Sequence, residues 1–352
     1  MHFNNTENLS DYFVALDERL DEILPARVSL LAHICGYTVR LVFPGTEYAR
    51  YAVADMFVSP DSGTETVDAT FIWWEDKISP YLPVKFSHLK GFTQVDKYKQ
   101  SGVDIIQVQD SGGYVEIFGS VFRAENYQNG KYYLLSHPFI HPKWPIECHP
   151  FEKVIFSWAQ KHDLLMIHAA AVGVDGHGVL IVGRGGTGKS TLTCSCLAAG
   201  YDFVSDDLCL LTASGSRSVF PIYTNVFLTS DSFKKLPVFR PFEIFPRQGD
   251  KNTFAVGENR IKKSLHVEAI ILPQVTDNTE PDIKPDYSSK ALGQLVYTTV
   301  KACGRYHETE FVSKLSQRLL GMPVYRFSLT TDLQKNCQYL KKWIQEDLSC
   351  TN

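Results

Sequence analysis

The sequence has no long hydrophobic run, no excess of basic charge, no cysteine framework and no internal repeat. No window offers the roughly 18 uninterrupted apolar residues that a membrane span requires. The opening Met1-His2-Phe3-Asn4-Asn5-Thr6-Glu7 lacks a basic stretch followed by an apolar one. A cytoplasmic protein with no membrane partner is therefore expected. Lysine and arginine number 35 against 39 aspartates and glutamates, a formal net charge of -4, which excludes a general nucleic-acid binder but leaves room for a local anion site. The eight cysteines, at 35, 148, 194, 196, 209, 303, 337 and 350, follow no small-scaffold spacing and read as reduced thiols. Cys194-Ser195-Cys196 looks metal-like, but residues two apart on a helix point to different faces.

What is present suits a soluble globular chain, 44% hydrophobic and 21% charged over 352 residues, and that length favours two domains. Residues 1–150 read as a β-rich α+β domain whose expected role is substrate recognition. They open with an amphipathic helix from Leu9 to Leu24, capped by Ser10 and stopped by Pro25. Thr38–Phe43, Thr70–Trp74 and Tyr114–Phe118 then read as strands of a mainly antiparallel region, punctuated by Asp110-Ser111-Gly112-Gly113 and Asn129-Gly130. Between His137 and Pro150 the prolines forbid regular structure and mark a boundary. His137, His141, Cys148 and His149 there have no standard zinc spacing, so a rigid connector is the plainer reading.

Residues 151–352 read as a second, α/β domain. A helix over Phe151–Lys161 and a strand over Leu164–Val174 precede the apolar run Gly178-Val179-Leu180-Ile181-Val182. Near the end, Met322–Leu329 reads as a strand and Asp332–Glu346 as a helix.

The apolar run ends in Gly183-Arg184-Gly185-Gly186-Thr187-Gly188-Lys189-Ser190, which fits the Walker A pattern G-x-x-x-x-G-K-[ST] at every fixed position, between a buried strand and a helix-compatible stretch. Glycines suit a loop that must wrap its backbone N–H groups around phosphate oxygens, and the following helix adds the positive end of its dipole. In this reading Lys189 reaches the β- and γ-phosphates, Ser190 ligates Mg2+, and Thr191 assists.

A helix from Thr191 to Ala199, stopped by Gly200, leads into the strand Tyr201–Ser205. That strand should run parallel to the loop strand and bring Asp206 and Asp207 beside the phosphates. Two adjacent carboxylates can divide the work of metal holding and proton acceptance. Asp206 is assigned as general base and Asp207 as the metal or positioning carboxylate, an order that can be exchanged. Val174-Asp175-Gly176-His177-Gly178 reads as a turn, so residues 168–172 should pair antiparallel with 179–183. That register folds His168 back toward the loop, where it orients Asp206 or touches the γ-phosphate.

These residues carry a family resemblance. The run from His168 to Gly183 resembles the stretch of HPr kinase/phosphorylase between its active-site histidine and its P-loop, with the same separation. The interval from Ser190 to Asp206 also matches the family's spacing from P-loop serine to paired aspartates. The likeness extends from His168 to about Pro273. It implies an α/β fold with a mixed sheet shared with phosphoenolpyruvate carboxykinase, and transfer of the ATP γ-phosphate to a hydroxyl. The first half does not resemble that enzyme's own N-terminal domain, so HPr need not be the acceptor. Arg184 and Thr191 stand where the enzyme has acidic residues, which argues against reverse phosphorolysis. The arrangement is more similar to the divergent HPr-kinase-related proteins of bacterial biosynthetic clusters, including lasso peptide kinases.

The expected protein is thus a kinase using ATP and Mg2+, with a peptide, protein or small molecule as acceptor, and a homo-oligomer is open. Arg260, Lys262 and Lys263, before an apparent strand Leu265–Leu272, are candidates to stabilise transferring charge, with a solvated basic turn as the alternative. A regulatory ATPase without an acceptor and a carboxykinase-like enzyme acting on a small acid are the rival readings.

Overall fold

Runs of consecutive buried residues, such as Phe71 to Trp74 and Phe122 to Asn126, shape the first unit of the chain. In the computed structural model the chain divides into Met1–Val53 with Val58–Val154, and Ala54–Phe57 with Ile155–Asn352. The structure describes residues 8–23, 27–75, 95–100, 103–118, 121–136, 149–236, 238–239, 243–246, 251–288, 290–303 and 308–348. The first unit holds β1 (Val28–Ile34), β2 (Tyr37–Phe43), β3 (Val58–Pro60), β4 (Ala69–Glu75), β5 (Val95–Gln100), β6 (Val103–Asp110), β7 (Gly113–Phe118), β8 (Val121–Asn126) and β9 (Lys131–Ser136). They form one sheet in the order β3-β1-β2-β4-β9-β8-β7-β6-β5. Pairing is antiparallel except where β4 lies parallel to β2 and to β9.

The helix Leu9–Ile23 lays Leu9, Tyr12, Phe13, Leu16 and Leu20 into the cluster of Val115, Phe122 and Tyr133, the stripe expected of an amphipathic helix. Phe13 stacks on Tyr133 with ring centroids 5.6 Å apart. A Cβ at Gly113 would collide with the Phe13 ring and the Glu125 carbonyl, so glycine is what lets the helix lie this close to β7. The cap is not Ser10. Asn8 Oδ1 accepts from Asp11 N at 2.9 Å and Asp110 Oδ2 from Leu9 N at 2.9 Å, while Ser10 Oγ accepts from Gln128.

The second unit is mixed α/β. It holds β10 (Leu164–Ile167), β11 (Ala170–Val174), β12 (His177–Ile181), β13 (Asp202–Ser205), β14 (Cys209–Thr212), β15 (Ser218–Pro221), β16 (Asn225–Thr229), β17 (Glu243–Pro246), β18 (Lys251–Ala255), β19 (Leu265–Val275), β20 (Asp282–Pro285) and β21 (Val324–Leu329). The main sheet runs β10-β14-β15-β19-β12-β11-β13, with β21 parallel to β19 and β20 antiparallel to β21, and a small sheet runs β16-β18-β17. The central strands are buried, and the helices Lys189–Ala198 and Leu333–Trp343 place Leu192, Cys196, Leu340 and Trp343 in one core with Ile181, Ile271 and Phe327.

The expected hairpin register holds: Ala170 faces Ile181 and Val172 faces Val179. The single strand expected over Leu164–Val174 is instead two. β10 pairs with β14, whereas β11 pairs with β12 and β13, and the chain changes partners at His168-Ala169. β13 runs parallel to β12 but is separated from it by β11. The closing helix spans Leu333–Trp343, with Asp332 Oδ1 accepting from Lys335 N at 3.0 Å, and continues as a π turn over Ile344–Leu348. No helix among the described residues is long and apolar enough to cross a membrane. The zinc reading at His137, His141 and Cys148, and the opening residues 1–7, lie outside the described residues.

Candidate functional site

The glycine loop leaves the C-terminal end of β12, where α/β sheets collect ligands. Its glycines have separate reasons. A Cβ at Gly183 would meet the Thr187 hydroxyl. Gly186 and Gly188 have φ of 86° and 93°, in the left-handed region that favours glycine. Gly185 has neither constraint, and a Cβ there would meet nothing within 4 Å. The protein alone does not require glycine at 185, whereas a phosphate lying against the backbone would. Thr187 N and Oγ1 both donate to Arg184 O, at 3.3 and 3.0 Å, and so fix the turn. Gly188 caps the helix Lys189–Ala198 without any side-chain partner, which leaves that helix's first N–H groups facing the loop.

Hydroxyls along this helix are used unequally. Thr193 Oγ1 donates to Lys189 O and Ser195 Oγ to Thr191 O. Thr191 Oγ1 is hydrogen-bonded to Ser232 Oγ at 2.6 Å. Ser190, half-buried, makes no hydrogen bond through its hydroxyl among the described residues.

Beyond β13 the two aspartates part company. Asp206 is 1% exposed. Its backbone oxygen accepts from Lys189 Nζ at 2.7 Å and its Oδ2 from Phe227 N at 3.2 Å. Asp207 turns the other way: its Oδ1 meets His168 Nε2 at 2.7 Å and Lys189 Nζ at 3.4 Å. His168 thus reaches the acidic pair, as the hairpin register requires, but its partner is Asp207 and not Asp206. The partner change between β10 and β11 frees the backbone at 168 for this: His168 N donates out of the sheet to Thr299 Oγ1 at 2.9 Å. His168 Nδ1 is buried with no hydrogen-bond partner, so the proton sits on Nε2 when Asp207 is ionised. Beneath the site Cys209 donates to Ala169 O at 3.6 Å, and burial pushes its thiol up to about 12, which keeps it out of nucleophilic chemistry.

The basic candidates before β19 fall elsewhere. Arg260 Nη2 donates to Leu197 O at 2.7 Å and so caps the C-terminal end of the helix whose N-terminal end carries the loop. That end is roughly 15 Å from the loop along a ten-residue helix. Lys262 pairs with Asp202 at 3.0 Å, and Lys263 is exposed beside it. None of the three is on the phosphate loop. Besides Lys189, the loop carries Arg184, exposed, with its guanidinium 5.5 Å from the centre of the Tyr297 ring. Tyr297 and Thr299 both sit on the helix Lys290–Cys303. Sequence reasoning missed them and Phe227, because all three are distant in the chain and belong to no motif.

Among the described residues no three His, Cys, Asp or Glu side chains gather into a metal cage. Mg2+ needs none, since it keeps waters and takes one or two protein oxygens besides the phosphates. The Ser190 hydroxyl and the aspartate carboxylates are the hard oxygen donors that such an ion takes.

Residues 147–235 match the family model described as SynChlorMet cassette protein ScmC. That stretch, about a quarter of the chain, contains His168, the glycine loop and both aspartates. No curated protein matches the sequence. Among solved structures, the Hpr(Ser) kinase/phosphatase from Coxiella burnetii is similar at 15% identity over 53% of this chain and 92% of that one, with a TM-score of 0.29. At that score the likeness adds no weight to the geometry.

Proposed function

We propose that the chain is an ATP-dependent kinase that moves the γ-phosphoryl group to a hydroxyl of a peptide, protein or small-molecule acceptor. The observation that carries this reading is Asp207 Oδ1, which meets both His168 Nε2 and Lys189 Nζ at the mouth of the glycine loop. A loop that only binds nucleotide needs the lysine but not a carboxylate oriented by histidine. Asp207 takes the base role first assigned to Asp206. As the acceptor oxygen bonds to the γ-phosphorus and the bond to the β-phosphate oxygen breaks, Asp207 accepts the hydroxyl proton and ADP leaves. His168 holds the carboxylate through its Nε2–H. Lys189 leaves the Asp206 carbonyl for the phosphates and offsets their charge. Asp206, buried and anchored by Phe227 N, fixes the turn and offers the metal-side carboxylate with Ser190. Ser190 and an aspartate carboxylate would hold Mg2+, which would supply neutralisation of the phosphate charge.

The test is product analysis with γ-labelled Mg-ATP against a panel of serine- and threonine-containing peptides and small alcohols. Label is expected in an acceptor. Lys189→Met should lose about 10- to 100-fold in ATP affinity by calorimetry with its circular dichroism unchanged. Label released only as inorganic phosphate, whatever the acceptor, would overturn the kinase reading. Unchanged affinity in Lys189→Met would overturn the phosphate site itself.

A further inference from the structure

At the opposite, N-terminal ends of β12 and β19, where His177 pairs with His266, lies a cavity of about 580 Å3 lined by Arg217, His266, Glu268, Arg318, Gly321 and Pro323. Its charges are arranged differently from those at the phosphate loop. Neither Arg217 nor Arg318 has a carboxylate within ion-pair distance among the described residues. Arg318 gives its Nη groups to Gly215 O, Ser216 O and Thr212 Oγ1, and its Nε is buried with no acceptor. Arg217 Nη2 donates to Leu320 O at 2.8 Å. Burial and the neighbouring Arg217 lower the Arg318 pKa and outweigh the opposing charge of Asp163, as expected of two cations that share a recess. Glu268 lies in the same recess with its side chain only 9% exposed. One oxygen pairs with His177 Nδ1 at 2.9 Å and the other is buried with no hydrogen-bond partner among the described residues.

An unmet carboxylate oxygen in a recess is costly, and so is an unmet guanidinium N–H. Two arginines with no ion pair of their own among the described residues repel a cationic ligand, and Glu268 repels a plain anion. A molecule that carries both charges answers both needs, with its carboxylate toward the arginines and its ammonium toward Glu268. The volume falls in the range of small-molecule sites. We propose that this cavity binds a small zwitterion, a free α-amino acid or a short peptide with free termini, at a site separate from the phosphate loop. The proposal does not depend on the kinase reading.

The test is calorimetry on the full chain with a panel of L-amino acids and dipeptides, each also in N-acetylated and C-amidated form. Saturable binding of free forms is expected, with either block weakening it by roughly 10-fold or more. The stronger of the two series tells free amino acid from peptide terminus. Glu268→Gln and Arg217→Met should each weaken the best ligand by about 10-fold or more while Mg-ATP affinity stays the same. Because blocked ligands are measured on the unaltered protein, a variant that fails to fold does not spoil the test. Absence of saturable heat from every zwitterion, or N-acetyl amino acids and inorganic phosphate binding as tightly as the free forms, would overturn the proposal.

Discussion

Each unit buries a cation against carboxylates, and the two clusters are built to different ends. In the first, Arg123 is 2% exposed and gives Nη2 to Glu116 Oε1 at 3.2 Å. Glu116 Oε2 accepts from Gln107 at 2.8 Å and from Tyr114 at 2.9 Å, and Arg123 Nη1 donates to the Lys153 carbonyl. Three donors from within the unit meet the two Glu116 oxygens. In the second, Lys189 is 8% exposed, yet among the described residues its charge meets only a carbonyl and one oxygen shared with His168, next to a glycine loop and a serine hydroxyl with no partner among them. A polar cluster that spends its hydrogen bonds on itself fixes a fold. One that keeps donors at the lip of an open loop is arranged for something that arrives.

The sharpest way to break that contrast is at the second cluster. Asp207→Asn keeps shape and hydrogen-bonding capacity but cannot accept a proton, so phosphoryl transfer should fall by about 10²–10⁴-fold while ATP still binds. Asp206→Asn should instead raise the Mg2+ concentration needed, with partial rescue at high Mg2+. Rates for both variants, measured across a magnesium titration with ATP saturating, decide the assignment. If Asp206→Asn alone loses transfer independently of Mg2+, the two roles are exchanged. If neither loses transfer, the pair is structural.

The next largest effect belongs to the first cluster. Arg123→Met keeps the apolar stem but strands Glu116 as a buried charge, a loss of about 3–5 kcal/mol for a broken buried pair. Urea unfolding followed by the near-ultraviolet signal of the aromatic core reads it. Mg-ATP affinity of the folded fraction should be unchanged. A loss of nucleotide affinity without a loss of stability would make the first cluster functional and erase the distinction.

How far these clusters could be read from the sequence follows from their range along the chain. The glycine loop, its helix and the hairpin register of 168–172 on 179–183 are local: a motif, a turn and a two-residue period specify them. The approach of His168 to the aspartates follows from that register, because β11 also pairs with β13. Which aspartate it meets does not, since adjacent residues point to opposite sides and long-range contacts, the bond from Phe227 N among them, decide which turns inward. The break at His168 is hidden for the same reason: the residues on either side of His168 are apolar, and the two halves differ in the strands they pair with. Proximity in sequence to a strand of the right sheet is what makes Arg260 resemble a site residue. Its placement depends on where Leu197 O ends a helix, which no charge pattern records. The Arg123 and Glu116 cluster was not singled out at all, because alternating charged residues on neighbouring strands look the same whether they face solvent or core.

The smallest effect is also the most specific test of what holds the first cluster together. Burial by itself raises the Glu116 pKa, and the facing Arg123 charge with the Gln107 and Tyr114 hydrogen bonds outweighs it, so the carboxyl is held below its ordinary value near 4.5. A carboxyl with a depressed pKa in the folded state adds stability that is fully present above the unfolded value. That stability is lost as the pH falls through the folded one. Glu116→Gln has no such group. The stability gap between the two proteins should therefore be widest at about pH 6–7 and shrink steadily as the pH falls below about 4.5, where the protonated carboxyl comes to resemble the amide. Urea midpoints for both proteins across that range measure the gap, and acid effects common to both cancel in the difference. A gap that stays constant would mean that Glu116 does not work as an ion in the fold. A gap that widens toward acid would mean that the carboxyl is held above its ordinary value, with burial and not Arg123 in control.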